Sequence, residues 1–266
     1  SDNGIRYAVL CRTAALIASG LIPDWKPDAV LSHDWHAGLV PAYLRYMEGP
    51  TPPVAHVVHN LAFQGLFPRE MLHAFGLPEW SFTFDQLEYY GQISFMKAAL
   101  QFSDRLISVS PTYAEEIQTP EEGMGLDTVL RARSNALTGI LNGVDLREWN
   151  PMTDPSVFFP YAVGDIIARR ANKRVFQAEF GLPQKSDALL LGMVSRLTTL
   201  KGADLLALLA PRIFQENIQL AAVGVGAEGI MQELAILRSR YPQNFVCLPR
   251  YCETRLHSMP STVDPS

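Results

Sequence analysis

Four short segments bring together side chains that could act on a sugar or a phosphate. The first is Ser195-Arg196-Leu-Thr-Thr-Leu-Lys201-Gly202, which follows an apolar run and leads into a helical pattern. Two cations at a strand-to-helix turn suit a pyrophosphate, because backbone N–H groups and the helix dipole at such a turn also favour negative charge. Their chemistry would be to neutralise charge on a departing nucleoside diphosphate. Two solvated loop cations would give the same string. The second segment is His59-Asn60-Leu-Ala-Phe-Gln-Gly65. His59 could hydrogen-bond a sugar hydroxyl or the reacting centre, or be satisfied by backbone in a turn. Gly65 would allow backbone to approach a ligand closely.

The third segment, His33-Asp34-Trp35-His36, offers a carboxylate, imidazoles and an aromatic plane. Hydroxyls take paired hydrogen bonds and sugar C–H faces stack on indole, so a sugar fits. A polar network that only fixes the loop fits equally. His33 and His36 lack the helical HExxH spacing of a zinc pair, and no metal is expected. The fourth is Gly224-Val-Gly226-Ala-Glu-Gly229, a GxGxxG match after a strand. The dinucleotide fingerprint belongs to the first strand of its domain, whereas this match follows the second strand of its half. The glycines are therefore read as incidental to a helix-start turn.

These segments need elements to hold them. Residues 6–21 read as a buried helix, 28–32 as a short buried strand, 37–47 as a helix and 54–58 as a strand. Residues 92–102 have a helical apolar period and 105–109 read as a strand. Ser110 then caps a helix with Pro111 in its first turn. Turn residues cluster at 150–160 and mark a join. Beyond it, 168–180 is helical, 188–194 a buried strand and 201–209 a helix interrupted by Pro211. Strands at 219–223 and 244–248 flank a helix at 230–240. Strands alternating with helices predict α/β domains with parallel sheets. The strands of the second half are fewer than a doubly wound domain usually has, so the chain is expected to be cut short.

Composition narrows the function. The 266 residues are 48% apolar and 18% charged with net charge −5, a globular balance without a basic stripe. No nucleic-acid partner is expected. Cys11, Cys247 and Cys252 form no metal or redox spacing and suit a reducing compartment. The polar start at Ser1-Asp2-Asn3-Gly4 shows no signal peptide, no run is read as crossing a bilayer, and the first residue is not Met.

In order along the chain, His33-Asp-Trp-His-Ala-Gly38, His59-Asn-Leu-Ala-Phe-Gln-Gly65, Gly91-Gln-Ile-Ser-Phe-Met-Lys97, Ser108-Val-Ser-Pro-Thr-Tyr-Ala114, Leu141-Asn-Gly-Val-Asp145 and Ser195-Arg-Leu-Thr-Thr-Leu-Lys-Gly202 resemble the successive motifs of bacterial glycogen synthases and plant starch synthases. The resemblance runs from about residue 2 to about 254. It implies a GT-B fold: two Rossmann-like domains facing a cleft, both incomplete here. Residues 1–150 would be part of the N-terminal, acceptor-side domain and 151–266 part of the C-terminal nucleotide-sugar domain. The implied reaction is retaining transfer of glucose from ADP-glucose to the non-reducing 4-hydroxyl of an α-1,4-glucan. No cofactor, essential metal or membrane partner is implied, and the implied location is bacterial cytoplasm or plastid stroma.

Carried over by position, Arg196 and Lys201 would grip the donor phosphates, His59 would meet the transferred glucosyl group and Asp34 would line the sugar site. Asn142 would help hold the donor, and Gly224 and Gly226 match a nucleotide-side turn, although Ala227 stands where the family pattern is acidic. The family's Lys-Thr-Gly-Gly-Leu loop and its later Glu-containing and Thr-Gly-Gly motifs are absent from this chain. Residues 251–257 resemble the family's next helix start, and 258–261 a later Met-Pro-Ser string with residues between them missing. The chain alone is accordingly expected to be inactive. Competing readings are a GT-B transferase using UDP-glucose, a catalytically dead remnant that binds glucan or a partner synthase, and a nicotinamide oxidoreductase resting on the glycine match.

Overall fold

The computed structural model describes residues 2–249. Cys252 and the strings at 251–257 and 258–261 lie outside them. The chain divides into two compact units, Ser1–Gly143 and Val144–Ser266, and the turn-rich stretch at 150–160 lies inside the second.

The first unit opens with α1 (Asn3–Leu16), continued by a π-turn at Ile17–Leu21. Its buried residues Gly4, Ala8, Cys11 and Ala15 are small and recur at helical spacing, while Ile5, Val9, Leu10 and Leu16 are exposed. The expected buried helix is thus buried along one stripe only. By length and composition alone, Asn3–Leu21 is also apolar enough to cross a membrane, although Arg6 and Arg12 interrupt it, so it is not a long uncharged run. A core helix passes the same test, and here the small-residue stripe packs on the second helix.

There follow β1 (Val30–His33), α2 (Val40–Tyr46), β2 (Val54–Val58), β3 (Leu66–Pro68), β4 (Glu88–Tyr89), β5 (Gln92–Ser94), α3 (Phe95–Phe102), β6 (Arg105–Ser108), α4 (Pro111–Glu116), α5 (Asp127–Ala132) and β7 (Leu137–Gly139). Strands β1-β2-β6-β7 form a parallel sheet in that order. Strand β1 is its edge and buries only Ser32, so the expected buried strand is half open. A second, antiparallel sheet has the order β3-β5-β4. Its middle strand takes Gln92–Ser94 out of the helix expected from residue 92, because Ile93 pairs with Phe67 on one side and Glu88 on the other. Helix α3 therefore starts at Phe95, capped by the Ser94 hydroxyl, which accepts the Lys97 N–H at 3.0 Å.

The second unit contains α6 (Ile166–Glu179), β8 (Leu189–Val194), α7 (Ala203–Ile213), β9 (Ile218–Val223), α8 (Glu228–Arg240) and β10 (Phe245–Leu248). The strands are parallel in the order β10-β9-β8. Alternate residues of β9 serve opposite faces: Leu220 and Ala222 pack with α7 and α8, and Ala221 and Val223 pack with Phe176 of α6. This layering of helices on both sides of a parallel sheet is Rossmann-like. Strand β8 buries only Leu190, so it too is less enclosed than its apolar run suggested. Pro211 lies inside α7 and does not interrupt it; in the last turn it removes a single N–H donor.

Candidate active site

Parallel strands in one register deliver all their carboxyl ends to the same sheet edge, where open α/β sheets bind ligands. In the first unit that edge collects His33, the last residue of β1, and His59, the residue after β2. Asp34 extends the ladder by one bond, its N–H donating to the Val57 carbonyl at 2.9 Å, and then turns the chain at φ +49°. A non-glycine residue in that region costs about 1–3 kcal/mol. The compensation is visible: one Asp34 carboxylate oxygen accepts the backbone N–H groups of His59 at 2.8 Å and Asn60 at 3.4 Å. The carboxylate thereby locks the loop after β1 to the loop after β2.

That lock brings two imidazoles together. His33 Nδ1 lies 3.0 Å from His59 Nε2, so one ring donates and the other accepts. Both residues are exposed at the edge. Trp35 stacks on His36 with ring centroids 4.2 Å apart, and its indole covers Gly65. A Cβ at Gly65 would sit 2.3 Å from Trp35 Cε3, and the φ of +61° also calls for glycine.

A second layer lies behind these loops. His56, on β2, is fully buried, with Nδ1 2.8 Å from the Ser32 hydroxyl. Its Nε2 has no partner among the described residues. Burial, helped by the nearby His33 and His59, pushes its pKa down to about 3, so the ring is neutral at ordinary pH. Tyr113 of α4 accepts the Leu61 N–H at 2.9 Å, and burial pushes its phenol up and keeps it protonated. Ser110 caps that helix as expected, accepting the Tyr113 N–H at 3.3 Å.

In the second unit the same kind of edge presents the cations. The chain leaving β8 stays paired with the chain leaving β9: the Ser195 N–H donates to Val223 at 3.2 Å and the Leu197 N–H to Val225 at 2.8 Å. A Cβ on Gly224 would lie 1.8 Å from the Ser195 carbonyl oxygen, and one on Gly226 would lie 1.7 Å from that of Leu197. These glycines are therefore not incidental to a helix start, as the sequence suggested. They are required for two loop backbones to pack against each other. Leu197 is fully buried and pins the loop, while Arg196 before it is exposed. Lys201 ends a single 3₁₀ turn and is exposed just ahead of α7, which starts without a side-chain cap. Neither cation is in an ion pair among the described residues. The arrangement is a pinned loop offering two free positive side chains beside an open helix N-terminus, the requirements of a phosphate cradle.

The family model described as the starch synthase catalytic domain matches residues 1–132. A Rhodopseudomonas palustris glycogen synthase is 48% identical over 263 residues, covering 99% of this chain and 54% of that protein. Glycogen synthase 2 of Bradyrhizobium diazoefficiens is 52% identical over 225 residues, covering 85% of this chain and 47% of that protein. The catalytic domain of starch synthase IV from Arabidopsis thaliana, solved with ADP and acarbose, superposes with a TM-score of 0.88 at 27% identity, covering 99% of this chain and 56% of that one. The chain belongs to the glycogen synthase and starch synthase family. It shares the fold of that starch synthase catalytic domain, and it spans about half the length of the curated relatives it matches.

Within this glycogen synthase-like framework, the residues singled out from the sequence fall into two groups. His33, Asp34 and His59 are bonded to one another in the first unit. Ser195, Arg196, Gly224 and Gly226 share one pair of loops in the second, with Lys201 following on the same segment. Asn142 joins neither group: it is exposed beyond β7, and no hydrogen bond links its side chain to either among the described residues. Sequence reasoning passed over His56 and Tyr113, which support the site from behind. The signal for His56 was a lone polar residue within Val54-Ala-His-Val-Val58, an otherwise apolar strand.

Proposed function

We propose that this chain serves retaining transfer of glucose from ADP-glucose to the non-reducing end of an α-1,4-glucan. The observation that carries the reading is the Arg196 loop: an unpaired guanidinium on a glycine-clamped turn, with Lys201 at the following helix start. Breaking the bond between the glucosyl C1 and the diphosphate oxygen leaves negative charge on the nucleotide. Cations already in place stabilise that charge without reorganising at the moment of bond cleavage. Arg196 suits the task because its planar fork takes two phosphate oxygens at once, and Lys201 adds a point charge.

In the first unit, the loops after β1 and β2 are assigned to sugar hydroxyls. His59, oriented by His33 and by the Asp34 hold on its backbone, offers a ring nitrogen to a sugar hydroxyl. Asp34 acts chiefly as the clasp between loops, since one of its oxygens is occupied by backbone donors. Asn142 is assigned to the donor side. The relative solved with ADP and acarbose supports an adenine nucleotide and a glucan-like acceptor.

The test is competition between sugar nucleotides for the chain. ADP-glucose is expected to displace a fluorescent ADP analogue at lower concentration than UDP-glucose does. Equal or better displacement by UDP-glucose would move the chain to a different donor.

A further inference from the structure

We infer that the second unit carries a self-association surface, the groove between α7 and α8, and that its partner is the same groove of a second copy of this chain. Strands β8, β9 and β10 are parallel, so the two connecting helices also run in one direction, and both pack on Leu220 and Ala222 of the same sheet face. Between them lies a groove of about 290 Å³, bordered by Asp204, Leu208 and Pro211 of α7 and by Glu233, Ile236 and Arg240 of α8. In each helix these positions follow one face over two turns, the spacing of a helix-packing seam.

The middle of the groove is apolar and uncovered. Leu208 is 74% and Ile236 60% exposed, and Leu205 and Leu209 of α7 are exposed beside Leu208. Helix α7 fully buries only alanines, Ala203 and Ala210, and turns these three leucines to solvent. That is the reverse of an ordinary surface helix, and an apolar face of this kind marks an interface.

The two ends of the groove carry opposite charge. Asp204 and Glu233 stand at one end, and Arg240, two turns beyond Glu233, stands about 10 Å away at the other. None of the three is in an ion pair among the described residues. Asp204 Oδ1 is shielded from water and has no hydrogen-bond partner among them, a cost that a cation brought from outside removes. Two-fold symmetry fits this pattern. In an isologous pair whose helices run antiparallel, the acidic end of each groove faces the Arg240 end of the other, and Leu208 and Ile236 meet their own mates near the axis. A foreign partner would need to match both ends, whereas a second copy matches them by symmetry.

Size sets the strength of the contact. The helices, of 11 and 13 residues, are about 17 and 20 Å long, so the paired face is smaller than the roughly 800 Å² per partner of a standard interface. The pair therefore forms and falls apart with concentration, at roughly micromolar levels.

The experiment is sedimentation velocity of the 266-residue chain across the micromolar range. The mass is expected to rise from 29.5 kDa toward that of two chains. Leu208→Lys, which sets like charges together near the axis, should leave a monomer with an unchanged helical signal. Glu233→Arg and Arg240→Glu each set like charges opposite one another and should each weaken the dimer at least roughly tenfold. Mixed in equal amounts, the two reversed chains face opposite charges again and should recover a dimer, which a loss of fold in either chain could not produce. A parent that stays monomeric throughout, a dimer untouched by all three substitutions, or a mixture of folded reversed chains that stays monomeric overturns the inference.

Discussion

At the scale of single residues, the site depends on close contacts that tolerate little change. Gly65→Ala would place a methyl 2.3 Å from the Trp35 ring at a positive φ, so it is expected to destabilise the first unit by about 1–3 kcal/mol. A lower urea midpoint with altered tryptophan emission is the readout; an unchanged midpoint would show that Trp35 can move aside. His56 gives a pH prediction. Its folded pKa, about 3, lies below the ordinary 6.5, so the unfolded chain binds the proton more readily. The stability from the neutral ring is complete above 6.5 and is lost as pH falls toward 3. Between pH 7 and pH 5 that loss is about 2 kcal/mol from this residue alone. Urea unfolding at the two pH values should show it, and His56→Gln should flatten the difference. The residues bearing donors and charges could be picked from their types and spacing. The need for Gly224 and Gly226 could not, because the carbonyls they admit belong to Ser195 and Leu197, far away in sequence.

At the scale of elements, the two βα loops of the second unit act as one body. Gly226→Ala would push the Leu197 carbonyl away and break the pairing that steadies Arg196, although neither position needs to touch a nucleotide. It is expected to weaken ADP roughly tenfold with the helical signal largely kept; unchanged ADP affinity would mean that the loop holds itself. Elements were legible where local pattern and tertiary role agree. The apolar run at Val54–Val58 is a central strand, and Ser110 with Pro111 starts a helix as their chemistry dictates. They were illegible where partners are distant. Strands of two or three residues such as β3, β4 and β5 carry no measurable alternation, and only their pairing across the turn reveals them. The runs at 188–194 and 28–32 were read as buried strands because apolar runs usually are, yet the strands formed there, β8 and β1, lie at sheet edges among the described residues.

At the scale of the whole molecule, the cations proposed for phosphate and the imidazoles proposed for sugar lie in different units of a chain that covers about half of each curated relative. Incubated with labelled ADP-glucose and glycogen, the 266-residue chain by itself is expected to incorporate glucose at background level, and clear turnover would contradict that. The central claim concerns phosphate recognition and is tested more directly by binding. Titrating ADP into the chain and into the Arg196→Ala/Lys201→Ala double variant compares the cradle with and without its cations. Each charge-assisted phosphate contact is worth about 1.5–3 kcal/mol, so the double variant should bind ADP at least roughly a hundredfold more weakly at unchanged thermal stability. Equal ADP affinity in the two proteins would contradict the account.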